Sequence, residues 1–108
     1  MPTLLAIASR TAIATDPWRA THRVIQVDPA IPQPHNEDRI PLTLLDALPN
    51  LPKPDFIIGF PPCTDLAASG SAHWQKKYKA NPYFQAQAAA LPMQILTLAT
   101  YLGVPYMI

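Results

Sequence analysis

The chain has 108 residues, of which 49% are hydrophobic and 14% are charged, and its formal net charge is +1. This length and balance exclude a disordered chain and predict that residues 1–108 form a single domain. The near-neutral charge gives no overall attraction to nucleic acid, so any such contact would depend on a local basic patch. One cysteine, Cys63, excludes an internal disulfide framework.

Other features of the sequence bear on localisation, phosphate binding and metal binding. No apolar run reaches the ~18 residues of a membrane span, and the apolar N-terminal segment has no basic residues ahead of it. We therefore expect a soluble, cytoplasmic protein. Three glycines exclude a Gly-rich phosphate-binding loop. His22, His35 and His73 share no ligand spacing with each other or with Cys63, so no metal site is expected.

The first part of the chain alternates between strand and helix patterns. Residues 3–8 are a continuous apolar run, which predicts a strand covered on both faces. Residues 9–21 favour a short helix, with Asp16 as its cap and a proline in its first turn. Residues 23–27 are rich in β-branched side chains and predict a second strand, which ends at Asp28-Pro29.

The middle of the chain contains the clearest strand. Residues 29–41 are polar and carry four prolines, which predicts a loop. Residues 42–48 favour one or two helical turns, and residues 49–54 favour another loop. Residues 55–60 read Asp-Phe-Ile-Ile-Gly-Phe and predict a strand that leads directly into Pro61-Pro62-Cys63.

The last part predicts an irregular segment, a long helix and a strand. Residues 66–81 carry a basic and aromatic cluster without apolar periodicity. Asn81-Pro82 is typical of a helix start, Pro92 should kink the helix, and Gly103 should end it. Residues 104–108 predict a final strand. The apolar face of the helix, expected to be core, consists of Phe84, Ala88, Leu91, Ile95, Ala99 and Leu102.

This alternation predicts an α/β fold, with a Rossmann-like, doubly wound and mostly parallel sheet. Ligands of such sheets bind at the carboxyl ends of the strands. Those ends are Ser9, Asp28 and the Pro61-Pro62-Cys63 turn. Asp28 either accepts hydrogen bonds from a ribose or only ends a strand in a turn. Cys63 is either a nucleophile held on a stiff turn or an inert packing residue.

The stretch 55–70, Asp-Phe-Ile-Ile-Gly-Phe-Pro-Pro-Cys-Thr-Asp-Leu-Ala-Ala-Ser-Gly, resembles the nucleophile motif of DNA cytosine-5 methyltransferases. More narrowly, it is similar to the compact, phage-associated branch of that family. Gln85 and Gln87 match the Gln-rich helix start of the branch. The resemblance implies a single, incomplete methyltransferase core in residues 1–108, acting in a bacterial host cell in a phage or prophage context.

The resemblance also implies a chemistry. Cys63 would attack C6 of a cytosine flipped out of DNA, and S-adenosylmethionine would donate the methyl group. Residues implied to bind this cofactor are Ser9, Asp28, Phe60 and Pro61. Residues implied to contact DNA are Ser69, His73, Trp74, Lys76 and Lys77, although a solvated, lysine-rich loop is the alternative interpretation of that cluster.

The chain departs from the family in two places. The family has a glycine turn after the first strand, where this chain has Ala8-Ser9-Arg10-Thr11. The family's second catalytic acid, in a Glu-Asn motif, would fall beyond Ile108. An alternative function is therefore a non-catalytic, phage-derived module that binds DNA or a host defence protein. A further expectation is a protein partner or a second copy pairing with the edge strand 104–108.

Overall fold

The structure is a computed structural model that describes residues 1–9, 14–32, 36–61 and 68–108. The described residues form one sheet of five parallel strands, flanked by helices. The strands are β1 (Thr3–Ile7), β2 (Arg23–Val27), β3 (Arg39–Ile40), β4 (Phe56–Gly59) and β5 (Tyr106–Met107). The α-helices are α1 (Leu44–Ala47), α2 (Trp74–Ala80) and α3 (Phe84–Leu102), and 3-10 helices cover Asp16–Ala20, Leu48–Asn50 and Ala68–His73.

The strand order β3-β2-β1-β4-β5 is Rossmann-like, and every neighbouring pair is parallel. Parallel neighbours require crossover connections, which is why the chain alternates between strands and helical segments. The central strand β1 is almost completely buried, as expected for a strand covered on both faces. The predicted α/β fold class is confirmed.

The two faces of the sheet are covered differently. The first face packs against α1 and α3 and forms the larger core, with Leu5, Ile7, Ile25, Val27, Leu44, Ala47, Ile57, Ile95 and Ala99. The second face carries Leu4, Ala6, Val24 and Ile58, with Trp18 and Phe56 packed against them. The rings of Trp18 and Phe56 stack with centroids 6.1 Å apart, so the 3-10 helix Asp16–Ala20 covers this face.

Two expectations for the first half were wrong. Residues 29–41 are not entirely loop, because β3 lies within them and pairs with β2. A two-residue strand has too little sequence to show a period, so its pairing with β2 decides its conformation. Asp16 is the first residue of the 3-10 helix rather than its cap, and its carboxylate pairs with Arg19 at 3.1 Å.

The expectation of an irregular segment over residues 66–81 was also wrong for residues 68–80, which are helical. Helix α2 has no buried residue, so it lacks the apolar stripe that marks most helices; its Gln, Lys and Ala residues nevertheless favour helix. Asn81 lies in a turn before α3, where its Oδ1 accepts from the Tyr83 N–H at 3.0 Å. The long helix therefore begins at Phe84, slightly later than predicted.

Helix α3 continues through Pro92 and ends at Gly103, whose φ of 68° is the left-handed conformation that favours glycine. This end was predicted, whereas the kink at Pro92 stays a prediction. Phe84, Ile95 and Ala99 of the predicted apolar face are buried. Among the described helices, none has the length and apolar character needed to cross a membrane.

Candidate functional site

The carboxyl ends of β2, β1 and β4 lie side by side at one edge of the sheet. Ile7 is in register with Val27 on one side and with Gly59 on the other. The Ala8 N–H donates to the Val27 carbonyl at 2.8 Å, and the Phe60 N–H donates to the Ile7 carbonyl at 2.9 Å. The predicted convergence of these strand ends is therefore present in the fold.

A cavity of about 450 Å³ lies against the ends of β1 and β2. Its other walls come from the loop before α1, from α1 itself and from α3. Its volume lies within the ~300–1,000 Å³ range of small-molecule sites, and most of its lining is apolar, as is usual for such sites. The lining residues are Ile7, Ala8, Val27, Asp28, Pro29, Leu42, Thr43, Leu44, Leu45, Gln87, Ala90, Leu91 and Gln94.

Asp28 is the acidic side chain in the cavity wall. It is half-buried, and its Oδ1 accepts a hydrogen bond from the Ala30 N–H at 2.7 Å. This bond forms the turn that ends β2, so the turn interpretation of Asp28 describes part of its role. A carboxylate has about four acceptor positions on two oxygens, so the turn leaves capacity for a ligand hydroxyl. The two interpretations are compatible.

Gln87 faces the same cavity from α3, with its amide held in one orientation. The Tyr83 N–H donates to Asn81 Oδ1, so Nδ2 is the Asn81 atom available to donate. Asn81 Nδ2 donates a hydrogen bond to Gln87 Oε1 at 2.7 Å. This arrangement leaves the Nε2 group of Gln87 as the donor offered to a ligand.

Of the residues that line the cavity, Asp28 is the one that was predicted as a site residue, and Thr43, Leu91 and Gln94 are among those that were missed. Thr43 caps α1, with its Oγ1 accepting from the Asp46 N–H at 3.2 Å. Leu91 was expected only as core, and Gln94 was not singled out. Gln87, Leu91 and Gln94 follow one another at steps of four and three, which places them on one helix face. That spacing was the available signal, but an apolar stripe with flanking amides is usual for any helix that packs on a sheet.

The other described residues predicted to bind a cofactor, Ser9, Phe60 and Pro61, are not part of the cavity lining. Ser9 is buried, and its Oγ accepts from Gln26 Nε2 at 3.1 Å on the second face of the sheet. Phe60 is partly exposed and Pro61 is half-buried, directly after β4. The cofactor-binding roles of Ser9, Phe60 and Pro61 stay predictions. Cys63 lies outside the described residues, as do Arg10 and Thr11.

The residues predicted to contact DNA lie on a helical segment rather than on an irregular loop. Ser69 is in the 3-10 helix, and its side chain lies outside those described; His73 ends that helix and is exposed. In α2, Lys76 is exposed, whereas Trp74 and Lys77 are half-buried. Trp74 is half-buried, so only part of its ring is exposed for stacking on a base.

Neither protein-family models, nor curated proteins, nor solved structures gave a match to this chain.

Proposed function

We propose that this chain is an S-adenosylmethionine-dependent DNA cytosine-5 methyltransferase-like domain, with the cavity as its cofactor site and Cys63 as its nucleophile. The observation that carries the proposal is the cavity of about 450 Å³ against the ends of β1 and β2, with Asp28 in its wall. Ligands of open α/β sheets bind at such strand ends. The motif at residues 55–70 supports the nucleophile independently of the cavity.

The lining fits the nucleoside part of this cofactor. Asp28 has acceptor capacity for ribose hydroxyls, which are donors. Leu42 and Leu91 supply apolar surface for the adenine ring, and Gln87 supplies a donor for a ring nitrogen or a carboxylate. When bound, the cofactor supplies an electrophilic methyl group.

Cys63 accounts for the other half of the reaction. Its thiolate would form a bond to C6 of cytosine, which moves electron density to C5 and makes that carbon nucleophilic. When C5 takes the methyl group, the electrons of the broken S–CH₃ bond would stay on sulfur, and a neutral thioether would leave. A base would then remove the C5 proton, the C5–C6 double bond would form again, and the thiolate of Cys63 would be expelled from C6. The target base must leave the duplex first, because C6 is shielded by stacking.

Calorimetry with S-adenosylmethionine tests the cofactor site. We expect wild type to bind, and Asp28→Asn to bind about 10–100-fold more weakly, because hydrogen bonds to a charged acceptor contribute about 1.5–3 kcal/mol. Asp46→Asn is the matched control, since it removes the same charge from an exposed position on α1 that does not line the cavity. Absence of binding by wild type would contradict the proposal.

Transfer of a labelled methyl group from the cofactor to DNA tests the nucleophile. We expect wild type to label cytosine at C5 and Cys63→Ala to give only background. If wild type binds the cofactor but transfers no more label than Cys63→Ala, the catalytic part of the proposal is wrong. The same result would favour the non-catalytic module predicted as the alternative.

A further inference from the structure

A fully buried amide lies in the middle of β2. Gln26 has no exposed surface and points to the second face of the sheet, beside Ala6 and Val24. Its Oε1 accepts from Arg19 Nη2 at 2.9 Å, and its Nε2 donates to Ser9 O at 3.3 Å and to Ser9 Oγ at 3.1 Å. Arginine only donates, so the orientation of the amide is fixed, with its nitrogen toward Ser9.

Ser9 directly follows a strained residue. Ala8 has a φ of 59°, and it is the one non-glycine residue with positive φ in the described ranges. Side chains disfavour this left-handed conformation, so it persists only where the surroundings impose it. Here the Ala8 N–H is held by the Val27 carbonyl at 2.8 Å, and the next residue is held by Gln26.

The left-handed conformation of Ala8 places Ala8 and Ser9 on opposite faces of the sheet. Ile7 and Val27 point to the first face and line the cavity, as Ala8 does. Ser9, one residue later, is bonded to Gln26 on the second face. Ser9 is thus turned away from the cavity that Ile7 and Ala8 line.

We propose that Gln26 is a positioning residue for the cavity: through Ser9 it holds Ala8 in the left-handed conformation that turns Ser9 away from the ligand space. In this chain the buried amide does what a glycine would do by its own conformational freedom. The inference rests on the proposed function only for the identity of the ligand, S-adenosylmethionine.

The conformation of Ala8 can be measured without any ligand. NMR couplings and Cα and Cβ shifts of labelled protein should give a positive φ for Ala8 in wild type and a negative φ in Gln26→Leu and Gln26→Glu. Both variants lose the N–H groups that donate to Ser9. Gln26→Glu keeps an acceptor for Arg19, so the φ of Ala8 in this variant tests the inference if Gln26→Leu does not fold. A positive φ retained in a folded variant would overturn the inference.

Binding and rescue test the consequence for the cavity. We expect Gln26→Leu or Gln26→Glu to weaken S-adenosylmethionine binding about tenfold or more. Adding Ala8→Gly to the same variant should restore most of the affinity, since glycine needs no restraint to turn in this way. Val24→Ala, which also truncates a buried side chain of the second face, should change neither the Ala8 φ nor the affinity.

The two proposals fail in different ways. If wild type does not bind the cofactor, the proposed function is wrong, while the φ of Ala8 in the Gln26 variants still decides whether Gln26 holds the turn. If wild type binds and the variants bind weakly without rescue by Ala8→Gly, the positioning role is wrong and the cofactor site stands.

Discussion

The side chain of Ile95 in α3 packs against the backbone of Gly59 at the end of β4. A Cβ at Gly59 would lie 2.5 Å from Ile95 Cδ1, closer than carbon atoms approach without displacement. Ile95 has no exposed surface, so its side chain has little room to move. The absence of a side chain at Gly59 thus sets how closely α3 approaches the strand that leads to Phe60 and Cys63.

We expect Gly59→Ala to destabilise the fold by about 1–3 kcal/mol, because it overpacks a filled core. Ile95→Val removes Cδ1 and should cost about 0.5–1.5 kcal/mol alone. The double variant should be more stable than the sum of the two single effects, because the clash is gone. Urea unfolding of the four proteins measures this coupling, and strictly additive effects would contradict the steric interpretation.

The sequence predicts those parts of the fold that rest on local patterns. β1, β2 and β4 are recognisable as short apolar or β-branched runs, because buried strands favour such side chains. Gly103 is recognisable as a helix end, because glycine adopts the left-handed conformation there without strain. Gln26 was not recognisable, since a lone amide within a strand usually faces solvent. Its partner Ser9 is 17 residues away along the chain, so only the pairing of β1 with β2 reveals the contact.

The candidate site was likewise predictable only where it depends on local sequence. Asp28 could be predicted, because a strand end is a local feature with a known place in parallel sheets. The cavity could not be predicted from the sequence, because its presence depends on the distance between α3 and the loop before α1. Thr43 and Gln94 are brought together by that packing, and no local pattern encodes it.

Gly103 gives a test of backbone strain without steric overlap. A Cβ there would meet no atom within 4 Å, so the cost of Gly103→Ala comes from the φ of 68°. We expect a loss of about 1 kcal/mol in the free energy of unfolding, and a smaller loss for Gly103→Asn, because Asn tolerates the left-handed region better. Thermal unfolding measures both, and equal stability of all three proteins would contradict this account of the helix end.

Filling the cavity should abolish cofactor binding without loss of stability. Ala90 is exposed on α3 and lines the cavity, so Ala90→Phe places a ring in the ligand space. At about 100 times its dissociation constant, S-adenosylmethionine should stabilise wild type by about 2.7 kcal/mol. For a domain of this size, that corresponds to a rise of roughly 10–20 °C in Tm.

We expect Ala90→Phe to unfold near the wild-type temperature without ligand and to show no rise with it. Ala86→Phe makes the same change at an exposed position of α3 outside the cavity lining, and it should respond as wild type does. A full ligand-induced rise in Ala90→Phe would place the cofactor elsewhere on the protein.

The exposed lysines of α2 allow a test of DNA contact. Lys76 and Lys79 are three residues apart, so they lie on neighbouring positions of one helix face. If both contact phosphates, Lys76→Gln/Lys79→Gln should weaken binding to a duplex and reduce the slope of log K against log salt by about 1.8, at about 0.9 per contact. Fluorescence anisotropy over a salt series measures this slope.

The control is Lys53→Gln, which removes a charge from an exposed position in the loop before β4, outside this helix. It should leave the slope unchanged. An equal slope in the double variant and wild type would instead identify α2 as a solvated basic helix, the alternative interpretation of this cluster.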